Sequence, residues 1–524
     1  MTSRNIVFSA RLIHTMNPEL PTAEALVMRD GKLLFVGSKR EALEIAGPDA
    51  AVELFPESTI VPGLIDAHVH LASLGRELTT VGLSSARTEA EAAALVAPAK
   101  PNQGDWVLGR GWDQNDWKGT TYPSKASLDA VKPTTPVFLT RIDGHAAWVN
   151  SEALRRAGIT AATQDPPGGR IERDAKGEPT GVLIDNAIDV VAAQIPEPSE
   201  SVAQKRLKVA IETCARLGLT QVHDAGMDIA TFRLLQSWDA LGVLPIRVYA
   251  MADGQGAEAD AYADMGPFSG RHLEMRAVKL LADGALGSRG AALATPYADA
   301  ADQSGLLLIS PDQLAAKAQQ FSARGFQVAV HAIGDRANSL VIATLSKLGA
   351  EGRHRVEHAQ ILTAADVPKL AKLGLIASFQ PTHATSDMPW AEQRIGFERA
   401  KGAYAWRSVL ETGAHVAFGS DFPVEDPNPL WGLYSARTRQ DHAGQPAGGW
   451  HPEQKLTGLE ALAGFTTGGA YASFAETRRG QLVVGFDADF VVLPIDPVEG
   501  APSELINAKV QVTVVDGSDV YRAP

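Results

Sequence analysis

A repeated alternation of short apolar runs and helix-like segments constrains the fold of this chain more than any other feature. The segments between the runs carry helix signals, such as Ser310 three residues before a capping Gln313, with Pro311 directly after the serine. Eight apolar runs read as buried strands: residues 64–70, 137–145, 219–226, 277–284, 327–334, 355–359, 375–381 and 416–423. Because such runs alternating with helices are typical of a parallel sheet covered by helices, eight of them predict an α/β (β/α)8 TIM barrel.

Both ends of the chain depart from this pattern and are rich in short strand-like runs. Near the start, two such runs surround Asp30-Gly31, which is a strong signal for a two-residue hairpin turn. Neither end has enough residues for a core of its own, so we predict one small composite β-sandwich from residues 1–60 and 475–524. The barrel then spans residues 61–474, with an insertion at about 72–136 over the barrel mouth.

Composition and charge exclude several classes of function. The net charge is −13 and no basic patch is visible, which argues against nucleic acid or an anionic membrane as a partner. The single cysteine, Cys214, excludes an intrachain disulfide and fits a reducing compartment. Since we recognise neither a signal peptide nor a membrane span, we expect a cytoplasmic protein that acts on a small molecule, and a homodimer is compatible with the sequence.

The apolar segment VPGLIDAHVHL, residues 61–71, ends with two histidines at alternate positions. In an extended strand, side chains two residues apart point the same way, so His68 and His70 face one spot. A single strand histidine is more often structural, and this pair needs further ligands from elsewhere in the chain before a metal site is indicated.

Further ligand-type residues end other predicted strands. His331, His358 and Asp421 each follow an apolar run, at the strand ends where the active sites of such barrels lie. His354 shares a face with His358, but it begins its strand and would lie toward the opposite mouth. Any one of these side chains could be a satisfied core residue. Together with the histidine pair, His331, His358 and Asp421 make five ligand-type residues at one end of the barrel. These five predict a metal site.

Lys279 places an ammonium group inside an apolar strand, where an unpaired charge is very costly. One interpretation is an ion pair with Asp283, or a lysine at the rim of the barrel. The other is that the amine has reacted with CO2 to form a carbamate, a carboxylate-like bridge between two cations. The residues alone do not decide between the two.

Several motifs of this chain carry a family resemblance: PGLIDAHVHL, GRGWDQNDW (109–117), RIDGHAAWVNS (141–151), GVLIDNA (181–187), VKLLADGALGSRGAAL (278–293), VHAIGDRAN (330–338), RVEHAQ (355–360) and GSDFPV (419–424). With them the chain resembles the amidohydrolase superfamily and, more narrowly, amidohydrolase family 3, in the YtcJ-like branch that contains N-substituted formamide deformylases. The resemblance extends over nearly the whole chain. It implies a (β/α)8 barrel with a split β-sandwich and an inserted segment.

The resemblance also implies a set of metal ligands, and it favours the carbamate interpretation of the strand lysine. The implied ligands are His68, His70, Lys279 as a CO2-derived carbamate, His331, His358 and Asp421. Two divalent metal ions are then expected, and zinc is the ion that imidazole and carboxylate ligands favour.

The expected chemistry is hydrolysis of a C–N bond, in an amide or formamide-like substrate other than a peptide. Two cations would share a bridging hydroxide that attacks the carbonyl carbon. Asp421 would act as general base and then as general acid, because an amine leaves poorly without a proton. His145, at the end of the second predicted strand, could donate to the carbonyl or the oxyanion. A structural hydrogen bond in a buried turn is the equal alternative for His145.

The substrate pocket is less constrained by the sequence. Four tryptophans fall between residues 106 and 148, and Trp112 with its neighbour Asp113 could help to form a substrate-binding wall. The same tryptophans could equally form the insertion's own core. Arg289 could anchor a polar group of the substrate or pair with a loop acid.

Three other functions stay open. A mononuclear deaminase of the same superfamily usually has a glutamate soon after the fifth-strand histidine, whereas His331 is followed by AIGDRAN, which leaves only Asp335. A lactonase or phosphotriesterase would use the same metal pair, so only substrate assays separate it. A non-catalytic scaffold would typically have lost ligands, and this chain retains all of them.

Overall fold

The computed structural model describes residues 4–117, 121–142 and 144–524. Residues 118–120 of the predicted insertion and Asp143 of the predicted strand 137–145 lie outside the described residues. The strands are β1 (Ile6–His14), β2 (Thr22–Arg29), β3 (Lys32–Gly37), β4 (Ala51–Pro62), β5 (Leu64–Val69), β6 (Val81–Gly82), β7 (Val107–Trp112), β8 (Val137–Arg141), β9 (Ala146–Val149), β10 (Gly169–Arg173), β11 (Pro179–Asp185), β12 (Leu219–Met227), β13 (Arg247–Asp253), β14 (Phe268–Ser269), β15 (Leu273–Leu281), β16 (Gln327–Ala332), β17 (Arg355–His358), β18 (Ile376–Phe379), β19 (His415–Phe418), β20 (Phe490–Leu493), β21 (Val512–Val515) and β22 (Ser518–Arg522).

The helices connect these strands, most regularly in the second half of the chain. They are α1 (Lys39–Ala46), α2 (Leu71–Leu78), α3 (Glu89–Val96), α4 (Lys125–Val131), α5 (Ser151–Arg156), α6 (Ala187–Ala192), α7 (Glu200–Arg216), α8 (Ile229–Ala240), α9 (Ala259–Met265), α10 (Pro311–Ser322), α11 (Asp335–Leu345), α12 (Val367–Lys372), α13 (Pro381–Asp387), α14 (Ala391–Ile395), α15 (Phe397–Ala400), α16 (Trp406–Leu410), α17 (Pro429–Thr438), α18 (Gly458–Gly464), α19 (Thr467–Ala472) and α20 (Glu504–Asn507). No helix in the described part of the chain has the length and apolar character needed to cross a bilayer.

Eight parallel strands form the barrel sheet, hydrogen-bonded in the order β5-β12-β13-β15-β16-β17-β18-β19. The first and last strands approach each other where Val69 bridges to Phe422, and the His70 N–H donates to the Phe422 carbonyl at 2.9 Å. Gly419 permits this close approach, because a Cβ atom at that position would lie 2.5 Å from the His68 backbone nitrogen. The predicted (β/α)8 barrel is confirmed.

One of the eight predicted barrel strands is wrong. The run 137–145 contributes β8, which pairs with β7 and β9 in a different sheet, and the missing barrel strand is β13, RVYAMAD. β13 was not recognised in the sequence because it begins with Arg247, and a charged residue is unexpected in a buried strand. That guanidinium is paired with Asp489 at 2.7 Å and with Asp487 at 3.3 Å, so its burial is compensated by carboxylates from the C-terminal segment.

The two chain ends pair in one seven-stranded sheet, in the order β22-β21-β20-β4-β1-β2-β3. The sequence predicts a sandwich for these segments, and the structure connects all seven strands in a single hydrogen-bonded sheet. At the β2–β3 turn, φ is 52° at Asp30 and 77° at Gly31, the left-handed conformation that a type I′ turn requires at both central residues. Phe8 and Phe490, from opposite ends of the sequence, pack edge to face with ring centroids 4.8 Å apart.

Residues 71–210 form a second compact unit, which is inserted in the chain between β5 and β12. Its sheet has the strand order β10-β11-β9-β8-β7-β6. Trp112, Trp117 and Trp148 are buried in its core, with ring centroids 6.1 to 6.3 Å apart. The insertion is longer than the predicted 72–136, because β8 to β11 extend its sheet and do not join the barrel.

Candidate metal centre

The six predicted metal ligands converge at the carboxyl ends of the barrel strands: His68, His70, Lys279, His331, His358 and Asp421. One ligand atom each from His68, His358 and Asp421 lies within 4.8 Å of the others. The His70 Nε2 is 3.1 Å from the Asp421 Oδ1, and the His331 and His358 rings are 4.5 Å apart between centroids. Strands that are distant in sequence therefore deliver imidazole and carboxylate groups to one small volume.

A buried acid that the sequence analysis missed fixes the orientation of His68. The Glu357 Oε2 lies 2.5 Å from the His68 Nδ1, which leaves the Nε2 for the centre. The other carboxylate oxygen of Glu357 is 2.6 Å from the Nε of Arg355, and all three side chains are fully buried. A carboxylate on the far nitrogen of a ligating histidine typically fixes both its tautomer and its ring position. The available signal was the pair of opposite charges two residues apart in the strand RVEH.

Asp66 and Ser420 hold the loop that carries Asp421. The Asp66 carboxylate accepts hydrogen bonds from the Ser420 hydroxyl at 2.6 Å and from the Ser420 N–H at 3.0 Å. Burial raises the pKa of Asp66 to about 7. The Asp421 N–H donates to the His68 carbonyl at 2.8 Å. Asp421 and His358 have φ of 61° and 68°, and this left-handed backbone is costly for non-glycine residues and clusters at functional sites.

The protonation states suit a cation. Burial lowers the pKa of His68 to about 4 and that of His331 to about 3, and it holds the pKa of His358 well below its ordinary value. These imidazoles are therefore neutral near pH 7, with a lone pair free to bind a metal. Burial alone would raise the pKa of Asp421, but the hydrogen bond from His70 and the nearby imidazoles hold it well below its ordinary value. The centre thus offers neutral nitrogens and an anionic oxygen.

A ligand atom at the centre lacks a hydrogen-bond partner. Among the described residues, the buried His331 Nε2 forms no hydrogen bond, and the nearest carboxylate oxygen to it, on Asp283, is 3.5 Å away. Buried polar atoms in folded proteins are nearly always paired, so such an atom indicates a missing ligand. With imidazole and carboxylate donors around it, the residues present fit a divalent cation.

Lys279 is buried beside the same donors. Its side chain is 4% exposed, and its Nζ lies 3.0 Å from the His68 Nε2. Burial lowers the pKa of its amine. The suggested ion pair with Asp283 does not form, because the Asp283 carboxylate accepts N–H groups from Ala292, Ile333 and Gly334 at 2.8 to 3.0 Å. Within the described ranges, Lys279 has no ion-pair partner.

Two further residues at this site were not identified from the sequence. The Gln380 Oε1 lies 2.7 Å from the His358 Nδ1, which leaves the other ring nitrogen of His358 for the centre. The His383 Nε2 is 3.7 Å from the Asp421 Oδ2, and its ring stacks on that of His358. Both residues follow β18, in the segment FQPTH, and polar residues just past the carboxyl end of a barrel strand were the signal available.

The substrate-binding candidates of the insertion have structural partners there. Trp112 is fully buried in the insertion core and donates from its Nε1 to the Leu139 carbonyl at 2.8 Å. This position favours the alternative that the tryptophans are core residues. Asp113 accepts the N–H of Asn115 at 2.9 Å and so caps a short 3-10 helix.

His145 does not lie where the sequence analysis placed it. It precedes β9 in the sheet of the insertion, so it does not lie at the end of a barrel strand. Its Nδ1 lies 2.8 Å from an Asp185 oxygen, and the side chain is exposed. Its role toward a substrate stays a prediction.

Three other residues that the sequence suggested also have partners. Arg289 pairs through two nitrogens with the Asp299 carboxylate, at 3.1 and 2.9 Å. This agrees with the alternative that Arg289 pairs with an acidic residue of a loop. Asp335, on which the deaminase alternative depended, accepts the N–H groups of Ala294 and Arg336 at the start of α11. His354 lies at the other end of β17, where its Nδ1 accepts the Val328 N–H at 2.9 Å.

Comparison with known proteins agrees with this geometry. Residues 58–521 match the family model described as the amidohydrolase family. The chain is 34% identical to the amidohydrolase YtcJ of Bacillus subtilis (strain 168), over 98% of this chain and 99% of that protein. It is 28% identical to an N-substituted formamide deformylase of Arthrobacter pascens, over 98% of each chain. An uncharacterized metal-dependent hydrolase from Pyrococcus horikoshii OT3 has a similar structure, with 27% identity, a TM-score of 0.80 and coverage of 95% of this chain and 99% of that one.

Proposed function

The chain belongs to the amidohydrolase family, and from that premise we propose that it hydrolyses a C–N bond in an amide or formamide-like small molecule other than a peptide. The main observation behind the proposal is the convergence of neutral imidazoles and the Asp421 carboxylate, together with the buried His331 Nε2 that has no hydrogen-bond partner among the described residues. The relative named as an N-substituted formamide deformylase, aligned over 98% of this chain, supports the choice of bond.

Two divalent cations, preferentially zinc, are the proposed cofactors. The residues that would hold them are His68, His70, Lys279 as a carbamate, His331, His358 and Asp421. Bound there, such cations supply a polarised substrate carbonyl and a water molecule whose pKa is lowered toward neutrality.

The side chains of the site supply the proton transfers. Asp421 takes the proton of the attacking water and passes it to the leaving nitrogen, because an amine is a poor leaving group until it is protonated. Its Oδ1 faces His68 and His70, while its Oδ2 lies 3.7 Å from the His383 Nε2. His383 is therefore placed to share the proton between the two transfers. Glu357 and Gln380 keep the His68 and His358 rings in position throughout.

The reaction class is tested with a substrate panel. Purified protein with its metal content measured is assayed on N-substituted formamides, other amides and carbamates, and in parallel on lactones and phosphotriesters. We expect the amide or formamide group to be cleaved with the highest kcat/KM. Preferred turnover of a lactone or a phosphotriester would contradict the choice of bond while leaving the metal centre intact.

Lys279 is expected to carry a carbamate. Its burial and the absence of an ion-pair partner within the described residues support this, since the carbamate converts a costly buried amine into an anionic ligand. Replacing the lysine removes that ligand. Lys279→Ala should lose activity to background, and a short carboxylic acid such as acetate or propionate should partly restore it.

The matched control for this change is Lys317→Ala, which removes a lysine from α10 that donates to the Gly254 carbonyl. It should retain activity and show no response to added acids. Intact-protein mass and 13C NMR after supply of labelled bicarbonate should detect the carbamate on Lys279. A bare amine at full metal occupancy and full activity would contradict this assignment.

A further inference from the structure

A basic cavity lies within the insertion, and its residues come from that unit alone. It has a volume of about 340 Å³, in the range of small-molecule binding sites. Its walls are residues 79–81 after α2, the loop 99–104, and Val202, Lys205 and Arg206 of α7. We propose that this cavity binds the phosphate group of a small anion, as a second ligand site besides the metal centre.

Arg206 is the residue on which the proposal depends. It is 6% exposed, yet no carboxylate pairs with its guanidinium among the described residues. Its one hydrogen bond there is long, 3.4 Å from the Nη2 to the Asn102 carbonyl, and its buried Nε has no partner. A buried charge without a counter-ion is strongly unfavourable. An anion in the cavity that Arg206 lines would remove this cost.

The charges around Arg206 have the same sign. Lys100 and Lys205 line the cavity and are exposed, and no acidic side chain is among the described lining residues. Burial lowers the pKa of Arg206, and the charge of Arg76 lowers it further. The chain as a whole carries a net charge of −13, so this local excess of positive charge is contrary to the overall composition.

The cavity walls are held in place by the protein itself. The Asn102 side chain donates to the carbonyls of Thr79 and Leu108 and accepts the Leu108 N–H at 3.0 Å. Gly104 has a φ of 56°, and a Cβ there would lie 2.5 Å from Pro196. These contacts hold the loop in one conformation, and a preorganised wall lowers the cost of binding.

Phosphate is the anion that fits this combination of groups. A guanidinium binds phosphate oxygens through its fork of N–H groups, and lysines add point charges around the same anion. Three positive side chains match the double negative charge of a phosphate monoester or of inorganic phosphate better than the single charge of a carboxylate. The volume also leaves room for an organic group attached to the phosphate.

The test measures phosphate binding to the full-length, metal-loaded protein by isothermal titration calorimetry and by thermal unfolding. Inorganic phosphate should raise the Tm of the wild type, because a ligand that binds only the folded state stabilises it. Arg206→Met should bind phosphate at least about tenfold more weakly. Without phosphate its Tm should be no lower than that of the wild type, since an unpaired buried charge has been removed.

A second variant and a matched control keep the test decisive. Lys205→Gln changes an exposed residue and should also weaken phosphate binding, whether or not the Arg206 variant folds. Lys176→Gln removes an exposed lysine from a turn of the same unit and should leave binding unchanged. Phosphate bound at the metal centre contributes equally to all variants, so the differences report on the cavity.

Binding is also compared between inorganic phosphate, glycerol phosphate and chloride, to distinguish the possible natural ligands. Tighter binding of glycerol phosphate than of inorganic phosphate would indicate a phosphorylated metabolite, and equal binding would indicate phosphate itself; both results support the proposal. Chloride at matched ionic strength should have no comparable effect. Equal phosphate affinity in the wild type, Arg206→Met and Lys205→Gln would overturn the proposal, and it would do so without affecting the proposed hydrolase function.

Discussion

Removal of divalent cations is expected to reduce hydrolysis to the background rate, with recovery when zinc or another divalent cation is added back. The residues at the centre are neutral imidazoles and a carboxylate, and none of them is by itself a nucleophile strong enough for an amide. His331→Ala should have the same effect through metal loss, because its buried Nε2 is a ligand atom without a hydrogen-bond partner among the described residues. Metal content by plasma mass spectrometry and activity should fall together, while the circular dichroism spectrum stays that of the wild type.

His415→Ala is the matched control for the metal prediction. This histidine begins β19, stacks on Tyr471 with ring centroids 3.6 Å apart, and belongs to a barrel strand without being a predicted ligand. The variant should retain both metal and activity. Undiminished turnover by protein that has been shown to be metal-free would refute the proposed chemistry.

Asp421→Asn is expected to lower kcat by at least ~10² while changing KM far less. Asparagine has nearly the shape of aspartate and can still offer a carbonyl oxygen to a cation, but it cannot carry a proton from the attacking water to the leaving nitrogen. The backbone at this position, with φ of 61°, tolerates asparagine well. Metal analysis of the variant should show most of the metal retained, which separates loss of proton transfer from loss of a ligand.

The leaving group provides an internal check on the role of Asp421. A substrate with an activated leaving group, such as an anilide with an electron-withdrawing substituent, needs less protonation of its leaving nitrogen. The kcat on this substrate should therefore fall less in the variant. Asp253→Asn is a suitable control, because this aspartate also ends a barrel strand but accepts backbone N–H groups from Gln255 and Gly256. If Asp421→Asn turned over an unactivated amide at nearly the wild-type rate, another group would have to be the acid.

The residue types and their spacing already determined much of the fold and of the centre. Apolar runs alternating with helix signals are local features, and they were sufficient to predict a barrel of eight strands. Candidate ligands could be recognised because imidazole, amine and carboxylate groups are unusual at the ends of apolar strands. His68, His358 and Asp421 are examples, and the structure places them together.

Tertiary structure decided which segments pair and which charges balance. The sequence run 137–145 is as apolar as a barrel strand, but its hydrogen-bonded neighbours are β7 and β9, a choice that depends on contacts between distant segments. The true strand β13 begins with Arg247, whose burial is possible only because Asp489 of the C-terminal segment pairs with it.

The same reason explains why the roles of the residues that support the metal centre were missed in the sequence. Glu357 and His68 are 289 residues apart in the chain and 2.5 Å apart in space. Arg355 stands two residues from Glu357 in the sequence and pairs with it, but only the fold brings His68 to the same carboxylate. The chemical type of a residue can be read from the sequence. The opposite charges and hydrogen bonds that offset the cost of burying a charged residue come from groups that folding brings to it.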